Sequence, residues 1–268
     1  DLTGLFVGSE GTLGVITELV LRVHPVPEHT VAVSAVFPDV EAACRAAAAA
    51  VGAGVALQRC EFADALTVAC VNRYFGLELV EAPSLFAELG GGRAAVDADL
   101  EATRALFEDA GCSGFATETT TEGRNRLWAA RHRAGEAILA TAPGKIKKST
   151  DVTVPVSEVP AAVRWTREEL ERHGITAALL GHVVDGNYHT VFMVDPERPE
   201  ELAQAKRIEA AQIEHALSVG GTCSGEHGIG IGKIGYLEQQ WVSNEALVPD
   251  FFREHNPIVR HTVLRRRS

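Results

Sequence analysis

The chain has 268 residues, 46% of them hydrophobic, with a formal net charge of -11. It can therefore bury a sizeable core in one large or two smaller domains, and it lacks the clustered Lys and Arg that would neutralise nucleic-acid phosphates, so nucleic acid is excluded as a partner. Five cysteines stand singly without CxxC spacing and no apolar run reaches about 18 residues, which argues against a disulfide framework and a membrane span and for a cytoplasmic protein, at most peripheral at a membrane.

The opening stretch DLTGLFVGSEGTLG has neither a basic start nor an apolar h-region, so no signal peptide is read, and it reads as the middle of something longer. The β-branched run at 30–37 predicts a strand, the segment from Asp39 to Val51 a helix behind Pro38-Asp39, and 54–62 a second strand. A second strand, helix and strand follow at 84–91, 94–111 (closed by Gly111) and 114–120. Two such β-α-β units in tandem predict an α+β fold, a ferredoxin-like antiparallel sheet with helices on one face.

Further on, a helix is expected over 122–140 and a strand in the DVTVPV stretch, ending at Pro155. A helix over 157–173 has Ser157 as N-cap and Gly174 as stop. Strands at 175–183 and 187–195 and a helix at 199–219 lead into the loop GGTCSGEHGIGIGK at 220–233. The basic cluster KIKK, Lys145 to Lys148, is too short to alter the charge argument.

Two histidines flank an Asp-Gly turn in GHVVDGNYH, residues 181–189. A two-residue type I′ turn at Asp185-Gly186 would place His182 directly opposite His189, with Cβ atoms about 5 Å apart. Glu226 in SGEHGIGIGK would complete a two-His, one-carboxylate set for zinc, manganese or iron with positions left for substrate. Any one of these histidines could be an ordinary polar position on a strand, but the set with the Glu226-His227 pair between Gly225 and Gly228 points to a divalent metal with a base beside it. The same loop lacks the G-x-G-x-x-G order of a dinucleotide site.

Five stretches, GLFVGSEGTLGVITELVLRV (4–23), RNRLWAARH (124–132), STDVTVPVSEV (149–159), GHVVDGNYH and SGEHGIGIGK, stand in the order seen in FAD-linked D-2-hydroxyacid dehydrogenases. The chain resembles that group, which includes D-lactate dehydrogenase and the glycolate oxidase FAD subunit within the vanillyl-alcohol-oxidase superfamily, over nearly all of residues 1–240. The resemblance implies that 1–25 is the end of an FAD-binding domain, with Gly8, Ser9, Gly11, Thr12, Gly14 and Ile16 approaching the FAD. It implies a substrate cap over 26–240 and leaves 241–268 as a divergent tail, in which Asn256-Pro257 alone is similar to the family's ending.

Further roles follow from the resemblance alone. His182, His189 and Glu226 would bind the metal, and His227 would take the hydroxyl proton of a small D-2-hydroxy acid whose hydride goes to flavin. Arg131 would grip the substrate carboxylate, a role suited to the planar guanidinium fork. Asn187 would either donate a hydrogen bond near the metal or stabilise the turn, and Lys148 is a weaker candidate that reads better as solvent-facing. Val184 stands where the family usually has Gly, which puts the assumed turn geometry in question. The competing readings are a metal-dependent hydrolase using the same ligands and a non-catalytic cap serving as a subunit. The electron acceptor is left unspecified, as is association into a homodimer or with partner subunits.

Overall fold

The computed structural model describes residues 1–241. The tail assigned to 241–268, including Asn256 and Pro257, therefore lies outside the described residues except for its first position. After a one-turn helix α1 (Leu2–Phe6), residues 7–28 carry no regular secondary structure. Val15, Leu19, Val20 and Val23 in that stretch are solvent-exposed, so it does not contribute to the core.

The regular part begins with β1 (His29–Val36), α2 (Val40–Gly52), β2 (Leu57–Ala63), α3 (Ala65–Phe75), β3 (Ser84–Gly91), α4 (Arg93–Asp109) and β4 (Gly114–Glu118). Helices α5 (Thr121–His132) and α6 (Ala134–Ala140) follow, then β5 (Ile146–Ser149), β6 (Val152–Thr153), α7 (Val159–Arg172), β7 (Ala178–His182), β8 (Asn187–Val194), α8 (Pro199–Ser218) and α9 (Ile234–Trp241). All strand pairings are antiparallel, in the order β4-β1-β3-β2-β7-β8-β5, with β6 also on β8. The first four strands have the interleaved order of a split β-α-β pair, which is the ferredoxin-like arrangement expected, and β7, β8 and β5 extend the same sheet.

Side-chain alternation assigns the two faces. Val33, Ala35, Phe62, Leu85, Ala87, Leu179 and Phe192 join one large core with α2, α4, α7 and α8, which is the predicted helix layer. The opposite face is covered as well: Ala178, Leu180 and Val191 pack on α3 and α6, and Ala63 and Phe86 on Val68 and Trp128. Helix α3 is the unforeseen element of this second layer. Its ends are nonetheless well marked, since Asp64 accepts from the Thr67 amide at 2.8 Å and Gly76 closes the helix at φ 63°.

Three local expectations need correction. The helix expected over 122–140 is broken at Arg133, which caps α5 and precedes α6. Ser157 is not an N-cap: Val156–Glu158 form a 3₁₀ turn, and α7 starts after Glu158 with Pro160 in its first turn, where no side-chain cap is made. The strand expected up to Pro155 is only the two residues of β6, and β5 precedes it. No described helix is long and apolar enough to cross a membrane.

Candidate metal and substrate site

The β7–β8 hairpin sets the site. Its register pairs His182 with Asn187, Gly181 with Tyr188 and Leu180 with His189, so the expected direct pairing of His182 with His189 is wrong. A type I′ turn needs positive φ at both central residues, yet here only Gly186 adopts it, at φ 76°, after a 3₁₀ turn over Val183–Asp185. A Cβ on Gly186 would lie 2.0 Å from the Val154 carbonyl oxygen, so the turn requires glycine there on steric grounds too. The four-residue connection shifts pairing by two positions, and a shift of two keeps every side chain on its face. His182 and His189 thus remain neighbours, now diagonal, with ring centroids 5.7 Å apart.

Partners behind each imidazole decide which nitrogen faces the site. His182 Nδ1 lies 2.6 Å from Glu61 Oε1, and His189 Nδ1 lies 3.0 Å from the Thr150 carbonyl oxygen. Both oxygens can only accept, so each ring donates from Nδ1 and presents the lone pair of Nε2. The two Nε2 atoms meet Glu226 Oε1 at 3.4 Å and 3.1 Å. His182, His189 and Glu226 each offer a ligand atom, all within 4.8 Å of one another. Three acceptors converging on one point are mutually repulsive without a cation or proton between them, and imidazole and carboxylate donors suit a divalent ion. The hydrogen bond that His182 donates to the Glu61 carboxylate raises the pKa of His182, whereas burial lowers that of His189.

The loop bearing Glu226 and His227 is fixed by Asp151, which is buried. Its Oδ2 accepts from Ser224 Oγ (2.7 Å), the Gly225 amide (2.9 Å), the His227 amide (3.1 Å) and Lys233 Nζ (3.3 Å). Its Oδ1 accepts from Asn187 Nδ2 (2.8 Å) and the Glu226 amide (3.2 Å). Burial alone would raise the Asp151 pKa, but these donors and the Lys233 charge outweigh it and hold the carboxyl well below the usual range. Asp151, His189 and His227 also lie close enough to be a ligand set, but the Asp151 oxygens are consumed by donors and the His189 Nδ1 by Thr150. Glycine is required at 225, where a Cβ would lie 2.0 Å from Asn187 Nδ2.

His227 stacks on His189, with centroids 5.1 Å apart and planes 9° from parallel, and its Nε2 is 3.8 Å from Glu226 Oε1. It is half-exposed, so an incoming molecule can reach it. Asn187 directs its amide nitrogen to Asp151, the Val152 carbonyl and Thr153, which serves the loop anchor more than the ligand cluster. Arg131, in the last turn of α5, is buried and joined through Nη2 to Glu61 Oε2 at 2.5 Å, while its Nε has no partner among the described residues. Lys148 pairs with Phe192 across β5–β8 and binds Glu209 of α8 at 2.8 Å, which puts it on the opposite face of the sheet from His189.

The N-terminal glycine segment touches the same loop. Glu10, at φ 50°, accepts from the amides of Ile229 (2.5 Å) and Gly230 (2.9 Å). Around it Gly8 and Gly11 have φ 79° and 74°, with nothing within 4 Å of an added Cβ. Thr12 donates to the Ser9 carbonyl at 2.6 Å, Gly14 has φ 159°, and Ile16 is exposed.

The residues not singled out in the sequence are Glu61, Asp151, Thr150 and Glu10. Glu61 had a signal, because Arg59 and Glu61 alternate with Cys60 and Phe62 and so place two charges on one face of a central strand.

Residues 26–247 match the family of FAD linked oxidases, C-terminal domain. A probable mitochondrial D-lactate dehydrogenase of Danio rerio is 39% identical over 90% of this chain and 48% of its own length. The glycolate oxidase subunit GlcD of Bacillus subtilis is 32% identical over 90% of this chain and 51% of its own. The chain thus spans about half the length of these relatives. Among solved structures, an alkyldihydroxyacetonephosphate synthase superposes with a TM-score of 0.59 at 17% identity, covering 92% of this chain and 48% of that one, a likeness of fold.

Proposed function

The chain belongs to the FAD-linked oxidases by their C-terminal domain, and from that premise we propose that it is the substrate-binding part of an oxidoreductase that converts a D-2-hydroxy acid to the 2-keto acid. The observation that carries the reading is the convergence of His182 Nε2, His189 Nε2 and Glu226 Oε1, with the ring of His227 stacked beside them. A divalent ion there would supply Lewis acidity, and a flavin, which the stretch of Gly8, Ser9, Gly11, Thr12, Gly14 and Ile16 would partly hold, would supply the hydride acceptor.

This chain's own residues do the rest. His182, His189 and Glu226 hold the ion, zinc, manganese or iron, in the two-His, one-carboxylate pattern that leaves positions for substrate oxygens. His227 Nε2 takes the proton of the substrate hydroxyl as the two electrons and hydrogen of Cα leave as hydride. Arg131, already turned by Glu61, offers the rest of its guanidinium to the substrate carboxylate. Asn187 acts through Asp151 on the loop, and residues 1–25 form the end of a flavin domain. Free thiols at all five cysteines suit a reducing compartment, cytoplasmic or mitochondrial.

Titration of the metal-loaded chain with D-lactate, L-lactate and glycolate by calorimetry tests this. Binding of a 2-hydroxy acid that requires both the metal and Arg131 supports the reading. Equal binding after chelation, or none with metal, would refute it.

A further inference from the structure

Resting on the metal reading above, the geometry points to Glu61 as a positioning residue that ties the metal ligand His182 to the carboxylate clamp Arg131, through opposite oxygens of one buried carboxylate. Glu61 sits directly across the β2–β7 ladder from His182, and its side chain is 9% exposed. Oε1 takes the His182 Nδ1 hydrogen at 2.6 Å and Oε2 takes an Arg131 Nη2 hydrogen at 2.5 Å. Three elements, β2, β7 and α5, are thereby linked at one group. Any nearby acid could neutralise Arg131, but only an acid at this register position also orients the imidazole.

The consequence for His182 is a fixed tautomer. A carboxylate oxygen cannot donate, so Nδ1 carries the hydrogen and Nε2 is left with its lone pair toward Glu226. The consequence for Arg131 is a fixed rotamer, with one edge of the fork spent on Glu61. Glutamine at 61 cannot satisfy both partners while His182 keeps the Nδ1–H tautomer. Its amide nitrogen must face either the Nδ1 hydrogen of His182 or the guanidinium, and both are donors.

The neighbouring strand supplies a control. Glu88 on β3 is equally buried and accepts from Arg59 Nη2 at 2.7 Å and Trp128 Nε1 at 2.8 Å, yet it touches neither His182 nor Arg131. It is a carboxylate of the same kind whose loss costs stability alone.

The test uses cobalt(II) and the 268-residue chain. Glu61→Gln should weaken cobalt binding by roughly 10- to 100-fold and shift its visible absorption bands, the usual effect of losing the partner behind a metal-bound imidazole. Glu88→Gln should leave affinity and bands unchanged while lowering thermal stability. Long-range proton–nitrogen NMR at alkaline pH, without metal, should show His182 as the Nδ1–H tautomer in the unmodified chain and lose that form in Glu61→Gln. Unchanged cobalt affinity and bands in Glu61→Gln would overturn the proposal, as would an Nε2–H tautomer at His182 in the unmodified chain, which needs no variant to fold. If the unmodified chain binds no cobalt, the metal reading fails, and the tautomer comparison alone then decides whether Glu61 orients His182.

Discussion

Replacing Asp151 by Asn keeps the shape of the loop anchor and removes its charge. An amide has one accepting oxygen where the carboxylate has two. With that oxygen in the Oδ2 position, Ser224, Gly225, His227 and Lys233 keep an acceptor, while Asn187 falls back on the Val152 carbonyl and Thr153, leaving the Glu226 amide unpaired. One part-buried donor without a partner costs up to about 1–3 kcal/mol, and weakening the contact to the Lys233 ammonium, which retains the residue-151 carbonyl at 2.7 Å, adds about 1 kcal/mol. The expected loss is about 2–4 kcal/mol, and at roughly 2–4 °C per kcal/mol for a domain of this size Tm should fall by about 5–15 °C. Because the Asp151 pKa is depressed by folding, its contribution is present above the unfolded value of about 3.9 and is lost as pH falls below it toward the folded one. Urea denaturation of both proteins between pH 6 and pH 3 is the assay, with the stability difference shrinking toward the acid end. A variant within about 1 kcal/mol of the parent at pH 6, well under the cost worked out above, would refute the anchor.

Gly225→Ala should cost about 1–3 kcal/mol of overpacking against Asn187 and Thr153 and move Glu226 off the histidines, so metal retention after gel filtration should drop while circular dichroism stays near that of the parent. In an enzyme joined to a flavin-binding half, His227→Ala should lower kcat by roughly 10²- to 10⁴-fold without changing metal content. Arg131→Ala should act chiefly on kcat/KM, and it should also destabilise the fold by up to about 3–5 kcal/mol, because the buried Glu61 is left with the His182 imidazole as its remaining partner. Wild-type stability in that variant by thermal melting would show the ion pair to be dispensable.

How much of this could be read from residues alone depended on range. The strands at 30–37 and 84–91 and the helix behind Asp39 were legible because hydrophobic period and caps are local, and β1, β3 and α2 appear within a residue or two of those bounds. Helix α3 does not stand out in the sequence although Asp64, Thr67 and Gly76 mark its ends, since its apolar stretch is short and falls between two strands. The ligand candidates were legible as types beside glycines. The register that joins them was not, because it turns on φ at Asp185, where Gly186 alone takes a positive value. What Glu61 and Asp151 hold was hidden for a different reason. Each lies more than 70 residues from a partner it holds, His182 or Ser224, and no spacing rule reaches that far.

The central claim is that His182, His189 and Glu226 hold one divalent ion. Its most direct measurement is metal content by mass spectrometry after the chain is stripped with chelator, reloaded with zinc or manganese and desalted, for the parent and for His182→Ala, His189→Ala and Glu226→Ala. The account predicts one tightly held ion per parent chain and its loss in each variant, since a three-ligand site that loses one ligand forfeits most of its affinity. A parent that retains no ion, or variants that retain it undiminished, would contradict the assignment.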